Sequence, residues 1–235
     1  MSLPFFYIEE NIPGSSIVLD EDTSKHIVQV LRMENGEQLL LTDGKGNLLT
    51  AEITDNNRKR CSVNILKTTS QQPPANNITI AVSLLKNTSR FEWLLEKVTE
   101  LGVSEIIPLI CTRTEKQHFR HDRMKGILVS AMLQSRQTWL PVLYESTKLN
   151  EVITSAEQQQ KFIAHCEDEK DKMQLVEQSI YGPGSKLILI GPEGDFTKEE
   201  IELALQHAFV PVALGNTRLR TETAAVAAAV LLCTQ

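Results

Sequence analysis

The chain has 235 residues, of which 41% are hydrophobic and 23% are charged, and this composition excludes disorder for most of its length. Its 24 Lys and Arg residues against 30 Asp and Glu give a formal net charge of −6, the wrong sign for a protein that coats nucleic acid without selectivity. Any contact with RNA must therefore use a local basic patch. The length allows one large core or two modest ones.

The sequence lacks the patterns of membrane and metal proteins. It contains no run of about 18 apolar residues and no signal-peptide pattern at its start, from which we expect a cytoplasmic protein without membrane contact. Its four cysteines, Cys61, Cys111, Cys166 and Cys233, include no Cys-x-x-Cys pair. We therefore expect reduced, buried thiols and no zinc or redox site. Histidines and carboxylates do not cluster at metal-ligand spacing, so we expect no metal.

The first part of the chain is typical of a small β-barrel or sandwich. Short runs rich in Leu and β-branched residues, of strand length, occur at residues 17–19, 39–41, 48–53 and 61–66. Residues 42–47 contain Gly44 and Gly46, which tolerate positive φ, and they indicate a hairpin loop. The apolar spacing of residues 25–32 predicts one short helix.

A polar segment with two prolines, residues 68–74, indicates a linker, so we place a first domain at residues 1–72 and a second at residues 73–235. Strands are predicted at residues 78–85, 103–110, 162–166, 187–190 and 211–214, and helices at residues 89–101, 123–135, 197–208 and 223–233. Two of these helices begin with a capping-box pattern, Ser89 with Glu92 and Thr197 with Glu200. Strands that alternate with helices predict an α/β domain with a mainly parallel sheet.

Two predicted loops leave strand ends of this sheet, where open α/β sheets bind ligands. Residues 190–196, Ile-Gly-Pro-Glu-Gly-Asp-Phe, lie between a buried strand and a capped helix, and their glycines allow close backbone approach. The loop lacks the Gly-Lys-Ser/Thr of a phosphate cradle, and Glu193 and Asp195 would repel phosphate. A cationic or neutral ligand suits it better, although a tight turn without a ligand stays an alternative.

The second loop, within residues 214–224, opens at the same edge and carries Arg220. An arginine there can grip a phosphate or stabilise a developing anion; the alternative is a pair with Glu222 or Glu193. Five alanines among residues 224–229 allow close helix packing in the core or across a dimer interface. Residues 111–140 hold six Lys and Arg against two Asp and Glu, which makes them the candidate basic patch, or simply a solvated surface.

Several motifs, taken together and in order, resemble one known family. They are residues 4–6 with His26, residues 30–32, Lys86, Arg90, residues 96–103, residues 134–135 with Pro141, residues 191–194 and residues 219–224. Along nearly its whole length the chain resembles the RsmE family of 16S ribosomal RNA uridine-N3 methyltransferases, which belongs to the SPOUT superfamily. The resemblance implies a small PUA-like β-barrel domain followed by a SPOUT-type α/β domain with a carboxyl-terminal trefoil knot. It further implies S-adenosyl-L-methionine as cofactor, 16S rRNA in the 30S subunit as substrate, and a homodimer.

The resemblance also implies roles for particular residues. The cofactor-binding residues would be Ile190, Gly191, Pro192, Glu193, Gly194, Leu214, Gly215, Leu219, Arg220 and Thr221. The RNA-binding residues would be Arg32, Arg58, Lys59, Arg60, Lys86, Arg90 and Arg136. Arg220 is the candidate for stabilising the uracil anion, and Glu222 is the candidate base.

Three departures from the family pattern stand out. Asp195 replaces the second glycine of Gly-Pro-Glu-Gly-Gly, Arg218 lies one position away from the usual Pro-Arg, and Arg136 follows Ser135 directly where the family has a glycine. A noncatalytic rRNA-binding factor in ribosome assembly remains the alternative function, because the basic segment alone would serve it.

Overall fold

The computed structural model of the chain describes residues 3–9, 14–167, 172–179 and 182–234. It separates into two compact units. The first comprises the described residues up to Pro73 together with Met132–Leu140, and the second comprises Pro74–Ala131 and the described residues from Pro141 onward. Among the described residues, no helix is long and apolar enough to cross a membrane.

The assignment of Met132–Leu140 to the first unit differs from the domain bounds expected from sequence. The reason is a set of backbone hydrogen bonds to the 42–47 hairpin: the Gly46 N–H donates to the Thr138 carbonyl (2.9 Å) and the Leu140 N–H to the Gly44 carbonyl (2.8 Å). Gly46 has a φ of 89°, and a Cβ at this position would overlap the Trp139 ring. The turn and the segment therefore fold together.

The first unit is a five-stranded sheet in the order β1-β3-β4-β5-β2, with one short helix. Its elements are β1 (Phe5–Tyr7), β2 (Ser16–Val18), α1 (Glu21–Lys25) continued by a π-helical turn (His26–Val30), β3 (Gln38–Thr42), β4 (Asn47–Asp55) and β5 (Ser62–Ser70). All neighbouring strands are antiparallel except β1 and β3. The structure extends β5 into the expected linker, because residues up to Ser70 pair with β4.

The second unit is an α/β domain. Its elements are β6 (Asn76–Ser83), α2 (Thr88–Glu100), β7 (Glu105–Ile110), α3 (His121–Gln134, which enters Met132–Leu140), β8 (Val142–Leu143), β9 (Thr147–Lys148), α4 (Leu149–Ser155), β10 (Gln160–Ala164), β11 (Met173–Gln174), α5 (Leu175–Gln178), β12 (Gly184–Ile190), α6 (Lys198–Gln206), β13 (Val210–Ala213) and α7 (Thr221–Cys233). The sheet order is β11-β13-β10-β12-β6-β7-β8, with β9 also on β7. Every pairing is parallel. The predicted α/β architecture is confirmed.

The two predicted capping boxes lie at the first residues of α2 and α6. The Thr197–Glu200 box is present at α6, where the Thr197 side chain accepts from the Glu200 N–H and the Glu200 carboxylate accepts from the Thr197 N–H (2.8 Å). The predicted capping box of Ser89 and Glu92 is wrong, because α2 begins one residue earlier, at Thr88. Asn87 caps the helix instead, and its side chain accepts a hydrogen bond from the Ser89 N–H (2.9 Å). An Asn side chain one position before the first helical residue satisfies the same orphan donor.

One charged residue lies inside the core. The side chain of Lys186, on the central strand β12, is fully buried, and its Nζ has no hydrogen-bond partner among the described residues. Burial without a counter-charge lowers the pKa of this lysine, because the charged ammonium loses its hydration. Lys186 therefore destabilises the folded chain relative to an apolar residue of the same shape.

Replacing Lys186 with Met keeps the side-chain length and removes the buried amine. We expect Lys186→Met to raise the free energy of unfolding by roughly 1–3 kcal/mol at pH 7. The pKa of Lys186 in the folded state lies below the ordinary lysine value, so the unfolded chain binds a proton at this residue more readily. The resulting loss of folded-state stability is absent above about pH 10.4 and grows as the pH falls from there toward the folded-state pKa. The gain should therefore shrink as the pH rises toward 10. Thermal denaturation checks this, with the exposed Lys198→Met on α6 as control. Equal changes in the two variants would contradict the account.

Candidate functional site

Three loops meet at the carboxyl edge of the parallel sheet, after β10, β12 and β13. They surround two neighbouring cavities of about 460 Å³ and about 370 Å³. Both cavities are lined by Ala164, Cys166, Arg218, Leu219 and Ala224. The combined volume is in the range of small-molecule and cofactor sites, so this edge is the candidate site.

The first cavity brings together most of the residues singled out from sequence. Its lining includes Ile190, Gly191, Pro192, Glu193, Leu219, Arg220, Thr221, Glu222 and Arg90. The second cavity is lined by Leu214 and Gly215 from the expected set, together with His165, Lys172, Asn216 and Thr217. Gly194 lines neither cavity; a Cβ there would lie 3.3 Å from Cδ of Arg113.

Asp195, which departs from the family pattern, ties two of the loops together. Its carboxylate accepts a hydrogen bond from the Cys166 N–H in the loop after β10 (2.8 Å) and one from the Phe196 N–H (2.9 Å). Its φ is 64°, a left-handed conformation that Asp tolerates better than most residues. The aspartate thus fits a backbone conformation suited to glycine and adds a link between loops.

A second link joins the start of α7 to the loop after β12. The Thr221 hydroxyl donates to the Gly191 carbonyl (3.0 Å), and both residues are buried. Gly191 needs to be glycine for packing, since a Cβ would meet the Phe196 ring at 3.1 Å. The loops on both sides of the first cavity are therefore held at a fixed distance.

Arg220 and Glu222 lie on either side of that link and differ in their surroundings. Arg220 precedes the first residue of α7 and is exposed; its carbonyl accepts from the Ala224 N–H (2.8 Å), but its side chain has no hydrogen-bond or ion-pair partner within the described part of the chain. The side chain of Glu222 is only 10% exposed and pairs with Arg90 on α2, with 3.6 Å between Nη1 and Oε1. Glu193 instead accepts from the Lys86 N–H (3.3 Å). The alternative pairing of Arg220 with Glu222 or Glu193 does not occur.

The remaining basic residues named from sequence are all exposed. Lys86 forms an ion pair with Glu115 (2.7 Å), whose hydrogen bond raises the pKa of the lysine. Arg136, with a φ of 57°, donates to the Leu3 carbonyl (3.3 Å) within the first unit. The other predicted RNA-binding residues of that unit are also exposed: Arg32, Arg58, Lys59 and Arg60. The structure does not gather this set into the cavity; only Arg90 lines it.

Sequence reasoning missed two contributors to the site. Arg113, in the loop after β7, donates through Nη1 to the carbonyls of Gly194 (2.6 Å) and Phe196 (3.2 Å). It thereby holds residues 190–196, the loop after β12 that carries Glu193 and Asp195 and is called the acidic loop below. At the end of β10, Ala164 and Cys166 line both cavities and His165 lines the second. Both follow parallel strands, so the strand-end rule that located the other two loops could have found them.

The four cysteines were expected to be reduced and buried, and the structure agrees with this for some of them. All four are free, and burial raises the pKa of Cys111 to about 12 and that of Cys233 to about 11. Cys166 is exposed, because it lies in a loop at the cavity rim rather than in the sheet. Within the described residues, no group of three or more His, Cys, Asp and Glu side chains could hold a metal ion.

Two family models match the chain. A model described as an RNA methyltransferase domain matches residues 71–233, and one described as an RNA methyltransferase PUA domain matches residues 19–66. The chain belongs to the RNA methyltransferase family. The first of these matches includes all three loops of the candidate site.

Solved structures and curated relatives agree with this membership. A probable rRNA-methyltransferase from Porphyromonas gingivalis is 35% identical, with a TM-score of 0.90 over 99% of this chain and 100% of that one. Ribosomal RNA small subunit methyltransferase E from Neisseria gonorrhoeae, bound to S-adenosyl methionine, is 30% identical, with a TM-score of 0.87 over 99% and 98%. The enzyme of the same name from Synechocystis is 28% identical over 92% of this chain and 72% of its own length.

These matches confirm the resemblance to the RsmE family, the PUA-like first domain and the prediction of an RNA methyltransferase. The alternative of a noncatalytic rRNA-binding factor gains no support from them. The cavities at the carboxyl edge of the sheet are thus the candidate active site of a methyltransferase.

Because Arg113 holds the acidic loop through two carbonyls, Arg113→Ala should loosen that loop without unfolding the enzyme. We expect amide hydrogen exchange at residues 193–197 to accelerate by roughly tenfold, the equivalent of one or two net hydrogen bonds. Arg123→Ala is the matched control, since Arg123 is exposed and its side chain pairs with Glu92 on α2 (2.7 Å), away from the loop of residues 190–196. Unchanged exchange in the Arg113 variant would mean that the clamp contributes nothing to loop order.

Proposed function

We propose that this enzyme transfers the methyl group of S-adenosyl-L-methionine to N3 of a specific uridine in 16S rRNA of the small ribosomal subunit. The observation that carries the proposal is the pair of neighbouring cavities, lined by a nearly buried Glu222 and by an exposed Arg220 whose side chain has no partner among the described residues. The curated and structural relatives act on small-subunit rRNA by name, and one is bound to this cofactor.

The chain's own residues fit this cofactor. Glu193, Asp195 and Glu222 line the first cavity, where a carboxylate suits a sulfonium or an ammonium group. Lys172 lines the second cavity and Arg218 lines both, and a cation there suits a carboxylate. The proposed binding residues are Ile190, Gly191, Pro192, Glu193, Leu214, Gly215, Leu219, Arg220 and Thr221, with Gly194 supporting the loop from outside the cavities. When bound, the cofactor supplies an electrophilic methyl group.

The reaction needs a uracil N3 that has lost its proton. The base must leave the RNA stack to reach the cavity. We assign to Arg220 a hydrogen bond to a uracil carbonyl oxygen, which stabilises the negative charge that develops as the N3 proton leaves. Glu222 then accepts that proton on a carboxylate oxygen, and the Arg90 ion pair orients this carboxylate.

The substrate and assembly contacts are proposals of the same kind. Lys86, Arg90 and Arg136, with Arg32 and residues 58–60 of the first unit, would contact rRNA phosphates. Trp93 on α2 and Val230 on α7 are 44% and 40% exposed on two helices that pack together, which supports a homodimer through this pair. The carboxyl-terminal trefoil knot, which the family resemblance implies, belongs to the same proposal.

The sharpest test of the catalytic assignment is Arg220→Ala. Transfer of a labelled methyl group to 30S subunits, taken from cells that lack the homologous enzyme, should fall about 100-fold or more in kcat. Calorimetric affinity for the cofactor should change much less, because most of the proposed contacts are made by other residues. Lys198→Ala is the control: Lys198 is exposed, lies outside residues 111–140 and lines neither cavity, so this variant should behave like the unaltered enzyme. Near-normal turnover by the Arg220 variant would show that the assignment is wrong.

Glu222→Gln tests the base separately, because the amide keeps the shape of the side chain and cannot accept the proton. We expect about a 100-fold loss of kcat at pH 7. The loss should shrink as the pH rises, since hydroxide then removes the N3 proton in place of the carboxylate. A pH–rate profile parallel to that of the unaltered enzyme would assign proton removal to another group.

A further inference from the structure

The loop between β7 and α3, residues 111–120, contacts the loop after β12 through Arg113, and the proposed function gives it no role. Several contacts with other parts of the second unit hold it in place. Arg113 bonds to the acidic loop, Glu115 pairs with Lys86, and Lys116 Nζ donates to the Thr88 hydroxyl at the start of α2 (2.7 Å). Phe119 packs edge-on against Phe91 with 6.2 Å between ring centroids.

These contacts make the loop a fixed surface that continues the cavity rim. Lys86 and Glu115 join it to the loop after β6, Lys116 joins it to α2, and Arg113 joins it to the loop after β12. Thr114 anchors its buried side through a hydroxyl contact with Ser83 (2.9 Å). Side chains on the opposite face, including Lys116, His118 and Arg120, are exposed.

The charges on this surface differ from those at the predicted RNA contacts. Lys86 and Arg90 already have carboxylate partners, Glu115 and Glu222. Lys116 and Arg120 have none among the described residues: Lys116 bonds to a neutral hydroxyl, and Arg120 Nε donates to Nε2 of His118 (3.4 Å). A phosphate gains more from an unpaired cation than from one that must first release a carboxylate.

We propose that Lys116 and Arg120, with His118 between them, bind backbone phosphates of the rRNA and so present the target nucleotide to the first cavity. The inference rests on the proposed function for the identity of the substrate. It assigns the partner as an RNA backbone read through charge, since the exposed Lys116 and Arg120 have no carboxylate partner among the described residues, while the carboxylate of this loop, Glu115, is paired with Lys86. A surface of this kind positions the substrate and does not take part in the methyl transfer.

The test uses the full-length enzyme with Lys116→Gln and Arg120→Gln combined. Binding to purified 30S subunits is measured over a range of salt concentrations. The logarithm of the binding constant falls as the logarithm of the salt concentration rises. Loss of two phosphate contacts should make this negative slope shallower by roughly 1.4–1.8, at about 0.7–0.9 per contact. KM for 30S subunits should rise about tenfold with kcat at saturation unchanged, because binding that is equal in ground and transition states affects KM alone.

The matched control is Lys148→Gln combined with Lys198→Gln. It removes the same charge from exposed positions outside the loop and both cavities. Similar losses in both variants would overturn the proposal in favour of a net-charge effect, and an unchanged slope in the Lys116 and Arg120 variant would overturn it outright. A fall in cofactor affinity would also contradict it, since the loop would then act through Arg113.

The same measurements separate this inference from the proposed function. Suppose the unaltered enzyme transfers no methyl group to 30S subunits but the Lys116 and Arg120 variant still loses salt-dependent binding. The RNA-binding role of the loop is then upheld, and the proposed methylation of 16S rRNA is overturned. If methyl transfer is normal and binding by the variant matches that of the control, the surface alone fails.

Discussion

All strand pairings in the second unit are parallel, and this constraint brings the site together. Because β10, β12 and β13 run in the same direction, the loops that follow them open at one edge of the sheet. Two hydrogen bonds then join these loops: the Cys166 N–H donates to Asp195, and the Thr221 hydroxyl donates to the Gly191 carbonyl. The cavities exist because the sheet fixes the loop origins and these bonds fix their separation.

The net charge of −6 does not show how charged residues are distributed around the candidate site. The carboxylates of Glu193, Asp195 and Glu222 line the first cavity, whereas the exposed Arg220 lies at its rim without a partner among the described residues. Arg90 and Arg218 line the same cavity, so three carboxylates and three arginines surround it. The carboxylates suit a cationic cofactor, and the exposed Arg218 and Arg220 suit a polyanionic substrate. The negative total therefore excludes only indiscriminate RNA coating.

The features that could be predicted from sequence are those set by local pattern. Buried strands, the Thr197 cap and the two glycine-containing loops follow from periodicity and residue type over a few positions. Asn87 could not be chosen over Ser89 as the cap of α2, because both are good cap residues and tertiary packing decides between them. Arg113 was missed for a related reason: its carbonyl partners lie about 80 residues away in sequence, and only the folded sheet brings them together.

The central claim is that this chain methylates one uridine of 16S rRNA at N3, and mass spectrometry of rRNA from cells lacking the protein tests it most directly. The account predicts that one 3-methyluridine disappears from 16S rRNA and returns when the intact gene, but not the Arg220→Ala form, is restored. Full methylation at that position in the absence of the protein would contradict it.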